Sequence, residues 1–381
     1  MNHQKIFYYS FLLLLLTGCD EKKEQGMNSN DLKLNQIQVI GSHNSYRIHP
    51  EQDMFNLMTG LNPELAAELD YGHPSFDVQF SQHGIRQIEI DVYHDPEGGL
   101  FYNQRGNLFI GLPVPSGIEE LLDPGLKVLH FPDIDYRTHY LTFIDALTAV
   151  KTWSDANPNH IPIFILVEAK EDGLANVYPS LSGFTQPLPF DRDALDAIDA
   201  DIRSVFGNDL NKVITPDDVR GTNESLEAVI LDSGWPTIGE SRGKVFFGLD
   251  NGGAIRDEYV ADHPALEGRV LFTSSDPGTP EAAFLKLNTP AESIAAYVTQ
   301  GYIVRTRADA DTEAARTGDT GPRDLALSSG AQFVSTDYYV ADARHDTSDG
   351  WTDYSVALPD NMIARENPIS GTGKFKGQEI E

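Results

Sequence analysis

Two stretches of this chain are apolar almost without a break: Ile163-Phe164-Ile165-Leu166-Val167, and the run from Val245 to Leu249 that follows Lys244. A strand with one face in water alternates apolar with polar residues, because successive side chains point to opposite faces. A strand that is apolar on both faces must be covered on both, as in parallel sheets flanked by helices. Eight segments read as strands: 37–41, 86–92, 126–131, 162–168, 244–249, 269–273, 302–306 and 331–336. Helical patterns at 141–153, 191–205, 290–299 and 322–329 fall between them. The second of these opens on Asp191 and Asp193, acids that suit a helix N-terminus. Alternating strands and helices around eight strands predict an α/β fold, a TIM-type (β/α)8 barrel, with 34–381 as one domain. The stretches 45–84 and 95–125 are long insertions able to shape a mouth over such a barrel.

A parallel barrel carries its chemistry at the C-terminal ends of its strands, and there polar residues interrupt the apolar runs. Ile40-Gly41-Ser42 leads into His43 and Asn44. Ile88-Glu89-Ile90-Asp91 puts Glu89 and Asp91 on one face, and Val167-Glu168-Ala169-Lys170 does the same for Glu168 and Lys170. Asn44, Glu89, Asp91 and Glu168 offer three carboxylates and one amide. That is a hard-oxygen set suited to Ca2+ and unlike the Cys and His set of structural zinc. Each carboxylate alone also reads as a solvated loop acid or half of an ion pair. Glu89 is harder to read that way, because it lies between Ile88 and Ile90 in a strand interior, where a buried acid needs a partner. His43 and His130 each follow an apolar segment, as structural histidines or as acid–base groups acting on a phosphoryl group. Arg305 and Arg307 share a face near the end of the seventh strand, where their forks match phosphate oxygens. The alternative is pairing with Asp309 or Asp311.

Composition narrows the partners. Lys and Arg number 28 against 58 Asp and Glu, a net charge of −30, which excludes the basic footprint that nucleic acid requires. The first 19 residues hold Lys5, an apolar run from Ile6 to Leu16 too short to span a bilayer, and then Thr17-Gly18-Cys19. This ending resembles a lipobox. It predicts a lipoprotein signal peptide over 1–18, a lipidated Cys19 with a polar tether over 19–33, and an exported protein anchored to a bacterial membrane. Cys19 is the sole cysteine, so no internal disulfide staples the folded body and its core must hold it together.

Ser42-His43-Asn44-Ser45-Tyr46, Ile88-Glu89-Ile90-Asp91, Val128-Leu129-His130-Phe131-Pro132-Asp133-Ile134-Asp135, Val167-Glu168-Ala169-Lys170 and Ser335-Thr336-Asp337-Tyr338 together resemble bacterial calcium-dependent phosphatidylinositol-specific phospholipases C. The similarity spans most of residues 35–340. It implies a catalytic barrel, catalytic His43 and His130, and a calcium ion on Asn44, Glu89, Asp91 and Glu168. Lys170 and Arg305, with Arg307 beside them, would approach the phosphate or inositol. The implied chemistry is attack of the inositol 2-hydroxyl on phosphorus, with Glu89 or Glu168 taking its proton. His43 would stabilise the transition state and His130 would protonate the departing diacylglycerol. The substrate would be a phosphoinositide, or a related phosphodiester lipid at a membrane surface, met by a monomer. The chain departs from the eukaryotic enzymes in lacking their lipid-targeting modules and in the greater separation of His130 from Glu89. Two other readings compete. A glycerophosphodiester phosphodiesterase would carry His-Arg-Gly where this chain has His43-Asn44-Ser45, and an inactive lipoprotein would only bind lipid or sugar.

Overall fold

The computed structural model describes residues 28–177, 183–347 and 350–381; the predicted signal peptide, Cys19 and the tether as far as residue 27 lie outside them. Ten strands follow in chain order: β1 Ile37–Ser42, β2 Gln87–Tyr93, β3 Lys127–Val128, β4 Ile163–Ala169, β5 Val245–Leu249, β6 Leu271–Thr273, β7 Phe284–Lys286, β8 Ile303–Arg307, β9 Phe333–Thr336 and β10 Ala364–Glu366. Eight of them pair in the order β6-β5-β4-β2-β1-β9-β8-β7. All of these pairs are parallel. A parallel bridge between Ser274 and Phe284 joins the two ends of the path and closes the α/β barrel. The predicted helices appear as Phe143–Ala156, Arg192–Phe206, Ile294–Gln300 and Gly321–Ser328. The first shows why such a segment is helical. Thr142 and Asp145 form a reciprocal capping box, and Phe143, Ala146, Leu147, Val150 and Trp153 bury one face at three-to-four-residue spacing.

The third of the expected strands is corrected. Of 126–131 only Lys127–Val128 is strand, and it runs antiparallel against the end of β2, with Val92 opposite Val128 and Tyr93 opposite Lys127. Pro132 offers no N–H, and Asp133 has a φ of 72°. The chain therefore folds back tightly, Phe131 and Asp135 exchanging both backbone hydrogen bonds. β4 therefore pairs directly with β2, and the eighth barrel strand is β7, between β6 and β8, three residues whose apolar run is too short to stand out in the sequence. A further strand, β10, lies antiparallel along the first half of β1, pairing Ile37 with Glu366 and Val39 with Ala364. β1 meets β2 only at Gly41 opposite Gln87. A Cβ on Gly41 would lie 1.9 Å from the Gln87 side-chain oxygen, so only glycine lets these two strands close.

Register then fixes what faces inward. The rings of Phe246, Phe284 and Phe333 lie 4.8, 5.0 and 4.7 Å from that of Phe164 and form an aromatic floor inside the barrel. Side chains two apart share a face. Stepping by twos from that floor toward the C-terminal ends leads to Leu166 and Glu168 on β4, Gly248 and Asp250 along β5, and Lys286 on β7. The same count gives Arg305 and Arg307 on β8, Ser335 and Asp337 along β9, Glu89 and Asp91 on β2, and His43 past Gly41. The inner surface thus changes from aromatic to charged within two residues of each strand.

Candidate active site

The acids are assembled by β2 and β4. Asp91 and Glu168 are register partners, and one oxygen each from Glu89, Asp91 and Glu168 lie within 4.8 Å of one another. Glu89 and Asp91 are buried and Glu168 is partly exposed. Three carboxylates at this spacing repel, and burial removes the water that would screen them. Burial accordingly pushes the Glu89 carboxyl up to about 7 against the pull of Arg305. It raises Asp91 well above the usual carboxylate range, with Glu168 adding to the effect. Two cations offset part of the charge. Arg305 Nη2 donates to Glu89 Oε2 at 2.5 Å, and Lys170 Nζ lies 3.6 Å from both Asp91 and Glu168. Even so, among the described residues neither Asp91 oxygen nor Asn44 Oδ1, all buried, has a hydrogen-bond donor in place, the nearby Tyr46 hydroxyl being itself unpaired. Asn44 is held in a left-handed turn with φ 47°. It precedes Ser45, whose N–H bonds the Glu89 carbonyl and whose hydroxyl accepts from the Glu89 N–H. The orphaned amide oxygen therefore belongs to the residue next to Glu89's main-chain partner. Hard oxygens left unsatisfied in this number fit a calcium ion.

Both predicted histidines come to this rim, and each is pinned in the same way. His43 Nδ1 donates to Asp337 Oδ1 at 2.8 Å, and Arg307 Nη2 donates to Asp337 Oδ2 at 3.0 Å. His130 Nδ1 donates to Asp135 Oδ2 at 2.7 Å, and Arg47 Nε donates to the same oxygen at 2.7 Å. A carboxylate on Nδ1 fixes the tautomer and leaves Nε2 for chemistry; that of His43 lies 3.6 Å from Glu89 Oε1. Burial would raise Asp135, but Arg47 and His130 overcome it and hold the carboxyl at about 2. Asp337 is held low in the same manner by His43 and Arg307. Burial lowers both histidines, with Arg307 adding to the effect on His43 and Asp135 opposing it on His130. His130 reaches the rim on the tight turn after β3, where it was expected on a barrel strand.

The two arginines occupy different places. Arg305 is 1% exposed, and its fork is engaged by Glu89, Ser335 and Asn288, so it bears on the site through Glu89. Arg307 retains 14% side-chain exposure and holds Asp337. Neither pairs with Asp309, whose carboxylate is taken by Thr336 and the Asp337 N–H, or with Asp311. Lys170 projects over Asp91 and Glu168, and the carboxylates raise its pKa against the effect of burial.

Sequence reasoning named neither Arg47 nor Tyr71, and it assigned no role to Asp135, Asp337, Lys286 or Asp250. Asp135 and Asp337 had a signal, each being polar directly after an apolar strand or turn. Lys286 and Asp250 pair across the mouth and become legible once β7 is recognised. Tyr71 lies deep in the 45–84 insertion, and nothing local distinguishes it.

Over residues 32–368 the chain matches the family described as phosphoinositide phospholipase C, Ca2+-dependent. Its fold is similar to that of the calcium-dependent phosphoinositol-specific phospholipase C from a Gram-negative bacterium, Pseudomonas sp. The apo crystal form 2 of that enzyme aligns at TM-score 0.51 and 16% identity, over 81% of this chain and 91% of that one. The myoinositol complex aligns at 0.50 with the same identity and coverage. A Ca2+-dependent phosphatidylinositol-specific phospholipase C from Streptomyces antibioticus aligns at 0.49 and 16% identity, over 80% of this chain and 95% of that one. No curated protein matches the chain in sequence.

Proposed function

Since the chain belongs to the Ca2+-dependent phosphoinositide phospholipase C family, we propose that it cleaves phosphatidylinositol to diacylglycerol and an inositol cyclic phosphate. The observation that carries this reading is the pair of imidazoles, each fixed through Nδ1 by a carboxylate, on the rim that also holds three crowded acids. Asn44, Glu89, Asp91 and Glu168 would hold calcium, which supplies Lewis-acid polarisation of the phosphoryl group and the attacking hydroxyl. The 2-hydroxyl oxygen of the inositol bonds to phosphorus as the bond to the diacylglycerol oxygen breaks. A carboxylate of the acid cluster, Glu89 or Glu168, takes the hydroxyl proton. His43, oriented by Asp337 through Nδ1, meets the charge that develops on the phosphoryl oxygens as the imidazolium, the form in which Nε2 carries a proton to donate. His130, oriented by Asp135, gives its proton to the departing oxygen. A phosphodiester anion in the mouth favours the imidazolium that this step needs. Arg305 holds Glu89 in place, while Lys170 and Arg307 stand nearest the phosphate.

Surface composition supports a lipid substrate. Leu61, Leu108, Phe109 and Leu112 are exposed at 78%, 52%, 61% and 45%. They belong to the insertions that follow β1 and β2, on the side of the barrel that carries the mouth. Exposed apolar side chains on those insertions suit a lipid surface. Among the described residues no helix is long and apolar enough to cross a membrane. In this reading the protein works as an exported monomer held to its membrane through Cys19. The test is an assay of the full-length chain on phosphatidylinositol vesicles and on glycerophosphoinositol, with calcium or with chelator. Calcium-dependent release of diacylglycerol is expected. Turnover of glycerophosphoinositol alone would replace the reading with a glycerophosphodiesterase, and turnover of neither would leave a binding protein.

A further inference from the structure

Two hydrogen-bond networks serve the site, one around His43 and Asn44 and one around His130, and the Tyr71 side chain touches both. The Tyr71 hydroxyl oxygen accepts from Asn44 Nδ2 at 2.9 Å and lies 3.2 Å from His43 Nδ1. The Tyr71 ring stacks on that of His43, with centroids 6.1 Å apart. The Arg47 guanidinium lies over the same ring, 4.5 Å from its centroid. Arg47 is itself fully buried. It donates from Nη1 to the Tyr71 carbonyl, from Nη2 to the Leu69 carbonyl at 2.7 Å, and from Nε to Asp135. Asp135 in turn holds His130.

The Asn44 contact has a chemical direction. A primary amide presents either its oxygen or its NH2 to a cation, and only the oxygen is a ligand. The phenol takes up the NH2 and so leaves Oδ1 as the atom without a partner. Burial holds the phenol protonated at neutral pH, its pKa being raised well above the usual tyrosine value. Its oxygen is thus a neutral acceptor that adds no charge to the acid cluster.

We propose that Tyr71 is a positioning residue with two separable parts: its hydroxyl turns the Asn44 amide so that the oxygen serves the cation, and its ring seats Arg47, which sets Asp135 and His130. This rests on the calcium reading given above. Partners that orient a metal ligand typically govern affinity by about ten- to a hundredfold. Tyr71→Phe removes the hydroxyl and keeps the ring, so calcium affinity measured by titration calorimetry on the full-length chain falls by about tenfold or more. In the same variant the His130 Nδ1–H resonance in proton NMR stays where it is in the parent. Tyr71→Leu removes both parts, so affinity falls and that resonance shifts or broadens through exchange. Asn44→Asp supplies an oxygen in either orientation and makes the Tyr71→Phe change much smaller in its presence. A merely structural tyrosine would lower the melting temperature in all variants without this pattern. Unchanged calcium affinity in Tyr71→Phe overturns the first part, and an unchanged His130 resonance in a folded Tyr71→Leu overturns the second. A parent protein that fails to bind calcium removes the calcium reading itself and is told apart by the parent titration alone.

Discussion

Asp91→Asn should raise stability in chelator and lower it in calcium. Asp91 has both oxygens buried without a donor, and its neighbours Glu89 and Glu168 each bring an oxygen within 4.8 Å. With an effective dielectric constant of ~20, each such like-charge pair costs about 3.5 kcal/mol. The attraction to Lys170 at 3.6 Å returns about 4.6 kcal/mol on the same scale. With the cluster fully ionised, two repulsions exceed that one attraction by about 2 kcal/mol before any cost of burying the charge is added. Protons held by Asp91 and Glu89 relieve part of this, so about 2 kcal/mol is a ceiling, and the chelator-treated isosteric amide should melt above the parent by up to roughly 4 °C, taking the small Tm response of large domains. Calcium reverses the order. The parent gains about 2.7 kcal/mol at a hundred times its Kd, whereas the variant has lost a carboxylate from its donor set and gains little. The two curves are recorded by scanning calorimetry or dye fluorescence at pH 7.5, in EGTA and in excess CaCl2. A variant less stable than the parent in EGTA as well would refute the reasoning, because Asp91 would then be a satisfied structural carboxylate.

His130→Ala should be severe on a diacylglycerol leaving group, by about a hundredfold or more, and partly rescued on a nitrophenyl phosphodiester; equal loss on both would remove the leaving-group role. His43→Ala should be severe on both, because transition-state charge forms whichever group departs. Burial holds the folded Glu89 carboxyl near 7, above the ordinary glutamate value of 4.5, so the native state binds the extra proton between those values. Stability in EGTA should therefore fall as pH rises from about 4.5 to 7, and calcium should flatten that slope; a Tm that climbs over this range in EGTA would contradict the assignment. Phe109→Asp should reduce turnover of vesicle-borne substrate while sparing a monomeric short-chain one, and equal turnover on both would show that the exposed apolar residues do not meet lipid. Cys19→Ser should leave the protein unprocessed or free in the exported fraction, judged by fractionation, and a variant still firmly membrane-bound would show a different anchor.

The barrel and most of its inner charges are legible in the chain before it folds, because both are written at short range. A run such as Ile163–Val167 can only be covered on both faces, and the two-residue period sends Glu89 with Asp91, and Glu168 with Lys170, to one side. The same period would have found Asp250 and Asp337 had their strands been extended by two residues, but not Lys286, whose strand was not read. What the tertiary structure alone decided is non-local. Strand β7 is three residues long and gains its place from closure against Ser274 and pairing with β8. The 126–131 segment leaves the barrel because the turn at Pro132 and Asp133 ends its pairing. The partners of the catalytic groups come from distant parts of the chain: Asp337 is 294 residues from His43, and Arg305 is 216 from Glu89. Tyr71 and Arg47 are close in sequence, yet their role depends on Asp135 and on the 45–84 insertion folding back over β1. A buried polar group must find a partner, but its own neighbourhood in sequence does not say which one, since that is settled only when packing brings the candidates together.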